Sequence, residues 1–419
     1  MLRYINNQLY IEKVSCLDLV KKYKTPLYVY SRTSMLEALT NYRESFSELR
    51  PLICYAVKAN SNLSILQHFS RLSTGFDVVS GGELQRVLTV QGNPKKIVFS
   101  GVNKSEAEIQ LALQVGILTF NVESIPEIDR IQKVAKSLGV KAPISLRINP
   151  NIDAKTHPHI STGLKNNKFG IPYEQALEAY SYSRQQSHLN IVGIDCHIGS
   201  QLTDVEPLKR AADKLFRLVA ELKKKQIPIR YFDSGGGLGI IYCQEPRPDY
   251  KSYAQHLSTF FSQHPEIKLI LEPGRSLVGD AGILLTRVDY IKQQPEKNFI
   301  IVDAAMNDLI RPALYDGYHD IIPVSQKPNI TPIVADIVGP ICETSDCLGK
   351  NRKLAVEPGD YLAIKSTGAY VASMANHYNS RLIAAEVWVH DDQEALIRQR
   401  DQFSQLIQNE LPFIESDLV

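Results

Sequence analysis

The sequence predicts an α/β protein made of a (β/α)8 barrel and a second, mainly β domain. Eight apolar, strand-like runs alternate with amphipathic helical segments over about 220 residues, the size and period of such a barrel. After Gly282 this rhythm stops, and strand-like runs follow one another between Pro/Gly turns. A doubly wound open sheet would also alternate, so the count favours the barrel without excluding the sheet. We expect the barrel to span 26–281, and the second domain to combine 1–25 with 282–419.

The barrel strands are predicted from short runs of apolar, aromatic and β-branched residues. They lie at 52–57, 76–79, 97–99, 117–122, 144–148, 191–196, 229–232 and 269–271. Ser80 with Glu83, and Ser124 with Glu127, have the capping-box spacing that begins a helix. The connection 150–170 is unusually long, and long loops in compact domains are often functional.

The second domain is predicted to be built from strands and closed by one helix. Its strand-like runs lie at 283–291, 299–302, 332–338, 361–364 and 382–389. A helix is expected over 393–411. Two further short strands are expected near the start of the chain, at 9–11 and 27–30, and a helix over 34–49.

The composition excludes several classes of protein. Charged residues make up 22% and the net charge is +2 without a long basic run, so binding to nucleic acid or to an anionic membrane has no support. No apolar stretch approaches the length of a membrane span, and the first residues do not resemble a signal peptide. Six cysteines are scattered without a CxxC pair, which argues against a metal site and against disulfides. We therefore expect a cytoplasmic protein.

Lys58 is the first candidate catalytic residue. It directly follows the predicted strand 52–57, and Asn60, Ser61 and Asn62 then suit a loop. Desolvation at the end of a buried strand is expected to lower the pKa of the amine and make it a nucleophile toward carbonyl carbon. Taken alone, a lysine that extends to water is the more common explanation.

Two loops after the last barrel strands carry glycines and charged side chains. Asp233-Ser234-Gly235-Gly236-Gly237 would let backbone N–H groups approach a phosphate, although a glycine run alone is more often a flexible loop. Glu272-Pro273-Gly274-Arg275 places an acid, a turn and a guanidinium together. An acid aimed at a pyridine nitrogen would keep it protonated. A structural ion pair is an equally good explanation of Glu272 and Arg275.

Further candidates occur at strand ends and in the second domain. His197 could stack on a flat ring and Ser200 could bind phosphate, while Asp77 follows a strand; a core histidine and a capping aspartate are the simpler explanations. In the second domain a thiol stands beside two carboxylates in the segment Cys342-Glu343-Thr344-Ser345-Asp346. Guanidinium and phenol groups that could bind carboxylates or phosphate are also present, at Arg311, Tyr315 and Tyr370.

Together these motifs resemble the fold-type III pyridoxal-phosphate decarboxylases, which pair a barrel with a C-terminal β domain. The resemblance covers roughly 26–378, with the motifs in the family's order. Two segments resemble the branch of that family that acts on meso-2,6-diaminopimelate. They are Thr156-His157-Pro158-His159-Ile160-Ser161-Thr162-Gly163 with Lys168-Phe169-Gly170, and the segment at Cys342. In ornithine and arginine decarboxylases of this fold an aspartate usually follows the cysteine, whereas here Glu343 does.

The resemblance implies a role for each matching residue. Lys58 would hold pyridoxal 5'-phosphate covalently, His197 would stack on its ring, Glu272 would bind the ring nitrogen, and Asp77 would support Lys58 or Arg275. The phosphate would be held by Ser200, Gly236, Gly237, Gly274, Arg275 and Tyr370. The substrate would be bound by Arg275, Arg311, Tyr315, Glu343 and Tyr370. Cys342 would donate a proton at the cofactor of the other subunit of a homodimer.

The resemblance therefore implies an enzyme that converts meso-2,6-diaminopimelate to L-lysine and CO2. A decarboxylase of the same fold acting on ornithine, arginine or carboxynorspermidine is the main alternative. An amino-acid racemase would need a second base in place of the thiol–carboxylate segment. A non-catalytic cofactor carrier would need only the barrel, so the large second domain argues against it.

Overall fold

The computed structural model describes residues 1–153, 162–164 and 166–412. Its strands, in chain order, are β1 Leu2–Ile5, β2 Gln8–Ile11, β3 Val14–Ser15, β4 Leu27–Ser31, β5 Leu52–Ala56, β6 Gly75–Val78, β7 Ile97–Phe99, β8 Thr119–Val122, β9 Ala142–Asn149, β10 Ile171–Pro172, β11 Leu189–Asp195, β12 Tyr231–Asp233, β13 Lys268–Leu271, β14 Gly282–Lys292, β15 Asn298–Val302, β16 Ile321–Pro323, β17 Ile333–Val338, β18 Cys347–Leu354, β19 Tyr361–Ile364, β20 Ala385–His390 and β21 Gln393–Arg398.

The α-helices are α1 Cys16–Tyr23, α2 Arg32–Ser45, α3 Leu63–Arg71, α4 Gly81–Thr89, α5 Glu106–Val115, α6 Ile125–Leu138, α7 Ala176–Gln185, α8 Glu206–Lys224, α9 Tyr250–Phe261, α10 Arg275–Val278, α11 Arg311–Tyr315 and α12 Phe403–Ile407. Within the described part of the chain, no helix has the length and apolar character needed to cross a bilayer. The chain divides into two compact units, one of 34–280 with 368–373 and one of 1–33, 281–367 and the residues from 374 onward.

The first unit contains a closed parallel barrel. Its strands follow the order β5, β6, β7, β8, β9, β11, β12, β13, and β13 pairs with β5 through Ile270 with Leu52 and Leu271 with Ile53. The eight strands predicted from the sequence match these eight, so the predicted barrel is confirmed and the open sheet is wrong. The short β10 pairs with β9 beside the ring.

Apolar strands and capped helices explain why this stretch folds as a barrel. The barrel strands are almost entirely buried, as expected when a parallel sheet is covered by helices. Ser80 and Ser124 accept hydrogen bonds from the backbone N–H groups of Glu83 and Glu127, as predicted. The two glutamate side chains accept from N–H groups one residue before each serine, so the reciprocal half of the capping box is displaced by one residue.

The second unit is built on a mixed sheet of order β18, β17, β15, β14, β4, β20, β21, with β19 pairing with β14 and β16. A separate antiparallel sheet contains β1, β2 and β3. The strand β4 falls inside the predicted barrel limits of 26–281, but it pairs antiparallel with β14 and parallel with β20. The barrel unit begins instead at 34, and it also takes in the distant residues 368–373.

The helix predicted over 393–411 is wrong. Gln393–Arg398 is a strand, paired antiparallel with β20 through a tight turn that joins His390 to Gln393. Asp391 takes a positive φ of 59° in that turn, a conformation that aspartate tolerates better than most residues. Only the short helix α12 follows within the described residues. A core of apolar side chains from β2, α1, β4, β14 and β20 stabilises this unit.

Candidate active site

Lys58 lies just beyond the carboxyl end of β5, in a short 3₁₀ turn of Val57–Ala59. Its ammonium pairs with the carboxylate of Asp77 in the neighbouring strand β6. The Lys58 side chain keeps 35% of its surface exposed, whereas Asp77 is fully buried. Burial acts to lower the pKa of Lys58, but Asp77, with Tyr370 and Glu272, holds that pKa above its ordinary value. The expectation of a lowered Lys58 pKa is therefore wrong, because a buried carboxylate faces the amine and outweighs the effect of burial.

Hydrogen bonds fix the turn that carries Lys58. The hydroxyl of Tyr55 donates to the carbonyl of Asn60 over 2.8 Å, and the Asn60 amide donates to the carbonyl of Gly368 over 3.2 Å. The backbone N–H of Tyr370 donates to the carbonyl of Ala59 over 2.8 Å. The segment 368–373 therefore belongs to this unit, and it limits where the Lys58 amine can lie.

Three buried carboxyl groups end adjacent barrel strands. Asp195, Asp233 and Glu272 follow one another at the ends of β11, β12 and β13, and oxygens of all three lie within 4.8 Å of one another. The amide of Asn121 donates to Glu272 over 3.2 Å and to Asp233 over 3.4 Å. Burial, with the neighbouring carboxylates, raises the pKa of Glu272 and of Asp195 well above the ordinary value. Burial raises the pKa of Asp233 to about 6.

This cluster has the spacing of a metal site, but a shared proton explains it better. Asp233 already accepts one backbone and one side-chain hydrogen bond: the N–H of Gly235 donates to Oδ1, and the amide of Asn121 donates to Oδ2. Carboxyl groups that cannot all ionise in a buried space retain a proton. We therefore assign no metal ion to these residues.

The half-buried His197 faces the glycine turn as a neutral ring. The N–H of Gly236 donates to Nδ1 of His197 over 3.0 Å, which leaves the ring proton on Nε2. Burial, with the positive charges of Arg147 and Lys58, lowers the pKa of His197 well below its ordinary value. A neutral imidazole is suited to stacking on a flat ring. The N–H of Gly236, predicted to bind phosphate, is occupied by this hydrogen bond.

Close packing requires glycine at three positions where the sequence predicted glycines for phosphate binding. A Cβ atom on Gly236 would lie 2.1 Å from the carbonyl oxygen of Glu272. Gly237 has a φ of +101°, and its Cβ would lie 2.3 Å from the carbonyl oxygen of Gly199. A Cβ on Gly274 would lie 3.1 Å from Ala56 and Ala59, beside Lys58. These positions therefore require the close backbone approach that glycine allows.

Arg275 is buried among three partners. Its guanidinium donates to Oγ of Ser200 over 3.1 Å and to the hydroxyl of Tyr242 over 2.7 Å, and it lies 4.8 Å from the ring centroid of Tyr370. The predicted residues Ser200, Arg275 and Tyr370 thus lie together. A buried guanidinium beside a serine hydroxyl is a strong site for a phosphate or carboxylate group.

In the second unit, Cys342 and Glu343 are both exposed. The backbone N–H of Cys342 donates to the side chain of Asn379 over 3.0 Å, and the hydroxyl of Tyr378 donates to Glu343 over 2.5 Å. Arg311 is buried and bonds His319 through Nη1 over 2.7 Å, while Tyr315, in the same helix α11, is half-buried.

Several residues at the site were not predicted from the sequence. Arg147 donates to Glu123 over 2.7 Å and to the carbonyl of His197, so it fixes the strand end that carries the imidazole. Asp195, Tyr242 and Tyr378 were also missed. The ends of predicted strands were the available signal for Arg147 and Asp195, because barrel catalytic groups come from those ends.

Two regions bear less directly on the site. Thr156, His157, Pro158, His159, Ile160 and Ser161, which contributed to the resemblance, lie outside the described residues. Thr162 is described, and its hydroxyl donates to the carbonyl of His197 over 2.8 Å.

A cavity of about 790 Å³ opens at the amino-terminal end of the barrel strands, opposite Lys58, and Arg50, Lys95 and Lys268 are among its lining residues. Its position separates it from the residues discussed above.

The residues at the carboxyl end of the barrel fit pyridoxal phosphate. An amine that can join an aldehyde, a buried acid for a ring nitrogen, a neutral imidazole and a serine–arginine pair for a phosphate occur in one unit. Among the described residues, Oδ1 of Asp77 and Oδ1 of Asn121 are buried without a hydrogen-bond partner. Such atoms are costly unless a polar ligand or water satisfies them. The site therefore offers a partner for each of three polar groups of this cofactor, namely its aldehyde, its ring nitrogen and its phosphate.

Comparisons with known proteins agree with this chemistry. Residues 32–279 match the family described as "Pyridoxal-dependent decarboxylase, pyridoxal binding domain". The chain is 58% identical over 403 residues to the diaminopimelate decarboxylase of Neisseria meningitidis serogroup A, covering 96% of this chain and 99% of that protein. It is 51% identical over 401 residues to the diaminopimelate decarboxylase of Vibrio cholerae, covering 96% of each.

Solved structures give the same picture. The diaminopimelate decarboxylase of Helicobacter pylori complexed with L-lysine superposes with a TM-score of 0.90 at 45% identity, covering 94% of this chain and 98% of that chain. The diaminopimelate decarboxylase of M. jannaschii in co-complex with L-lysine gives a TM-score of 0.94 at 40% identity, covering 100% and 99%.

Proposed function

We infer that this chain, which belongs to the pyridoxal-dependent decarboxylase family, decarboxylates meso-2,6-diaminopimelate to L-lysine and CO2, the last step of lysine biosynthesis. The structural observation that carries this conclusion is the Lys58 amine paired with Asp77 among acids and glycines at the carboxyl end of the barrel. Full-length identity of 45–58% to proteins named diaminopimelate decarboxylase favours this substrate over ornithine.

We propose the following roles in holding the cofactor. Lys58 would bind it covalently, with Asp77 orienting the amine, His197 would stack on the ring and Glu272 would bind the ring nitrogen. The phosphate would be held by Ser200, Gly236, Gly237, Gly274, Arg275 and Tyr370. The contacts of Arg275 with the Ser200 hydroxyl and with the ring of Tyr370 support the phosphate assignment, because they bring a buried guanidinium together with a half-buried serine and a half-buried tyrosine. The N–H of Gly236 supports it less, since it already donates to His197.

When bound, pyridoxal phosphate supplies an electron sink for the electron pair that the departing CO2 leaves behind. The chain's own residues do the remaining work. Asp77 keeps the Lys58 amine in place through their ion pair, and burial excludes water from Glu272. His197 stays neutral, so it orients the ring rather than transferring a proton.

Substrate binding and protonation are assigned to residues whose side chains can bind carboxylates, bind an ammonium group or donate a proton. Arg275, Arg311, Tyr315 and Tyr370 would bind the substrate's carboxylates, and Glu343 its distal ammonium. Cys342 would donate its Sγ proton to the carbon from which CO2 departs. We propose that the protein is a homodimer in which Cys342 and Glu343 serve the cofactor of the other subunit. Their exposure in the single chain supports this, because exposed groups are available to a second copy.

We also propose that the enzyme works in the cytoplasm. The six cysteines, all within the described part of the chain, are unpaired, as is usual where thiols are kept reduced. Cell fractionation followed by detection of the protein would test this placement.

A product analysis with meso-2,6-diaminopimelate and ornithine side by side tests the proposed activity. We expect L-lysine and CO2 in equal amounts from the first substrate and negligible CO2 from the second. Lys58→Ala should lose nearly all turnover, because no other amine among the described residues pairs with Asp77. A preference for ornithine, or full turnover by Lys58→Ala, would refute the proposal.

A further inference from the structure

Tyr242, which the sequence did not single out, contacts the arginine proposed to hold the phosphate of the cofactor. It lies in the loop that follows the glycine turn after β12. Its hydroxyl accepts a hydrogen bond from Nη1 of Arg275 over 2.7 Å, and the guanidinium carbon lies 5.8 Å from the centroid of its ring. Tyr242 is 7% exposed and Arg275 is 6% exposed. A buried charge is costly unless polar groups hydrogen-bond to it, so this contact stabilises the guanidinium in its place.

The other side of the guanidinium faces Ser200. Nε and Nη2 of Arg275 donate to Oγ of Ser200 over 3.4 and 3.1 Å. These two nitrogens form one edge of the flat group, and Nη1 lies outside that edge. Because the five N–H groups have fixed relative directions, holding Nη1 also sets the direction of the Nε–Nη2 edge. Tyr242 and Ser200 therefore hold the guanidinium from two sides.

Hydrogen bonds join the loop of Tyr242 to the segment that follows Ser200. The side-chain amide of Gln201 donates to the carbonyl of Ile240 over 2.6 Å and accepts from the N–H of Ile240 over 3.2 Å. Ile240 also packs beside the element that carries the arginine, since a Cβ on Gly279 would lie 2.6 Å from Cδ1 of Ile240. The groups on the two sides of the guanidinium are therefore held in place relative to each other.

A tight turn fixes Tyr242 itself. Oε2 of Glu245 accepts hydrogen bonds from the backbone N–H groups of Tyr242 and Cys243, over 3.0 and 2.7 Å. Both bonds connect residues of this loop, and neither involves Ser200 or Arg275. A substitution at Glu245 can therefore alter the placement of Tyr242 without changing the serine or the arginine.

We infer that Tyr242 is a positioning residue for the phosphate of the cofactor. This inference rests on the proposed function, in which Ser200 and Arg275 hold that phosphate. Tyr242 holds Nη1 and thereby directs the Nε–Nη2 edge of Arg275 to the side of Ser200, where a phosphate can accept from both N–H groups. Without the hydroxyl, Nη1 loses a buried acceptor and the guanidinium can rotate toward another one. Tyr242 therefore acts through Arg275 and need not touch the ligand.

Binding of two forms of the cofactor tests this role. Full-length protein depleted of cofactor is titrated with pyridoxal phosphate and, separately, with pyridoxal, which keeps the aldehyde and the ring but lacks the phosphate. Tyr242→Phe removes only the hydroxyl. Its dissociation constant for pyridoxal phosphate should rise about tenfold, because a hydrogen bond to a charged group is lost, whereas that for pyridoxal should not change. A purely structural role would weaken the binding of both.

Two controls isolate the contact with Arg275. Tyr180→Phe removes another buried hydroxyl of the same unit, which donates to the carbonyl of Gly193 over 2.9 Å, and should leave both dissociation constants unchanged. Arg275→Lys keeps the charge but has no Nη1, so adding Tyr242→Phe to it should cause no further tenfold loss. The inference is overturned by an unchanged affinity of Tyr242→Phe for pyridoxal phosphate, by equal weakening for both ligands, or by a full further loss in the Arg275→Lys background.

A second variant tests the role without changing Tyr242. Glu245→Ala removes the acceptor that fixes the turn of the tyrosine, and should raise the dissociation constant for pyridoxal phosphate about threefold without affecting that for pyridoxal. Glu245→Gln keeps a side-chain oxygen and should behave as the wild type. Equal affinities in Glu245→Ala and the wild type overturn the inference even if Tyr242→Phe does not fold. Failure of the wild type to bind either ligand would instead overturn the proposed function.

Discussion

Replacing Asp77 by Asn should make the Lys58 amine easier to deprotonate. The substitution keeps the size of the side chain and removes its charge. In the wild type the Asp77 carboxylate, with Tyr370 and Glu272, more than offsets the burial that would lower the pKa of Lys58. Without Asp77, burial is opposed mainly by weaker partners, and the pKa of Lys58 should fall.

The size of the change follows from the ion pair. Two unit charges about 4 Å apart interact by about 4 kcal/mol at an effective dielectric constant of about 20. That energy corresponds to about 3 pKa units. Because 35% of the Lys58 side chain is exposed, solvent screening weakens the pair, and we expect a fall of about 1–2 units.

Covalent capture of the aldehyde measures this fall. Cofactor-depleted protein is mixed briefly with pyridoxal phosphate across a range of pH, moved to one common pH, and reduced with borohydride. Mass spectrometry then gives the fraction labelled at Lys58. Since only the neutral amine attacks a carbonyl, the pH midpoint for labelling should fall by the same 1–2 units in Asp77→Asn.

The control removes a carboxylate from another lysine pair. Asp336 lies 2.5 Å from Lys297 in the second unit, and Asp336→Asn should leave the labelling midpoint of Lys58 where it was. If Asp77→Asn has the wild-type midpoint, or a higher one, then Asp77 does not set the charge of Lys58 and the reasoning is refuted.

Three further predictions concern strain, acid catalysis and pH. Gly237→Ala should lower the free energy of unfolding by about 2–4 kcal/mol and weaken cofactor binding, because φ is +101° and the new Cβ would meet backbone atoms. The control is Gly359→Ala, where φ is +94° but the space around the new Cβ is open. In thermal unfolding it should lower the free energy of unfolding by only about 1 kcal/mol. Equal costs would contradict the steric argument. Cys342→Ala should reduce turnover by about 10²–10⁴-fold with cofactor absorbance unchanged, whereas the exposed Cys243→Ala should keep full turnover. Burial raises the pKa of Glu83 from 4.5 to about 7, so its stabilisation is present below pH 4.5 and is lost as the pH rises through 7. At pH 8 the free energy of unfolding of Glu83→Gln, measured with denaturant, should therefore exceed that of the wild type by about 1–3 kcal/mol, and below pH 4.5 the two values should be equal. A difference that stays constant across pH would contradict the assignment to Glu83.

The barrel could be predicted from the sequence because its signal is local. Each barrel strand is a short buried run followed by a helix, and several of these helices begin at a capping side chain, so local patterns were enough to locate all eight strands. The error at 393–398 has a different origin. A strand at the edge of a mixed sheet is defined by its partner β20, and its own residues, Gln393 to Arg398, alternate too weakly to distinguish strand from helix.

The site was predictable only in part. Lys58 and Glu272 directly follow predicted strands and Arg275 lies in the turn after the last of them, so the order of motifs identified them as candidates. The charge of Lys58 could not be predicted, because it depends on Asp77 in the neighbouring strand β6. Arg147 and Asp195 were missed because each looks like an ordinary polar end of an apolar run, and only the pairing of β9 with β11 brings them together. The roles of Cys342 and Glu343 remain predictions.

The short segment 368–373 has a consequence for biosynthesis of the chain. It donates the Tyr370 N–H to Ala59 and accepts from Asn60, yet it is made long after the last barrel strand leaves the ribosome. A nascent chain that has just completed β13 therefore lacks the piece that braces the turn at Lys58. The nucleophile should reach its working position only once translation has passed residue 373, so premature trapping of the aldehyde on a half-made polypeptide is disfavoured.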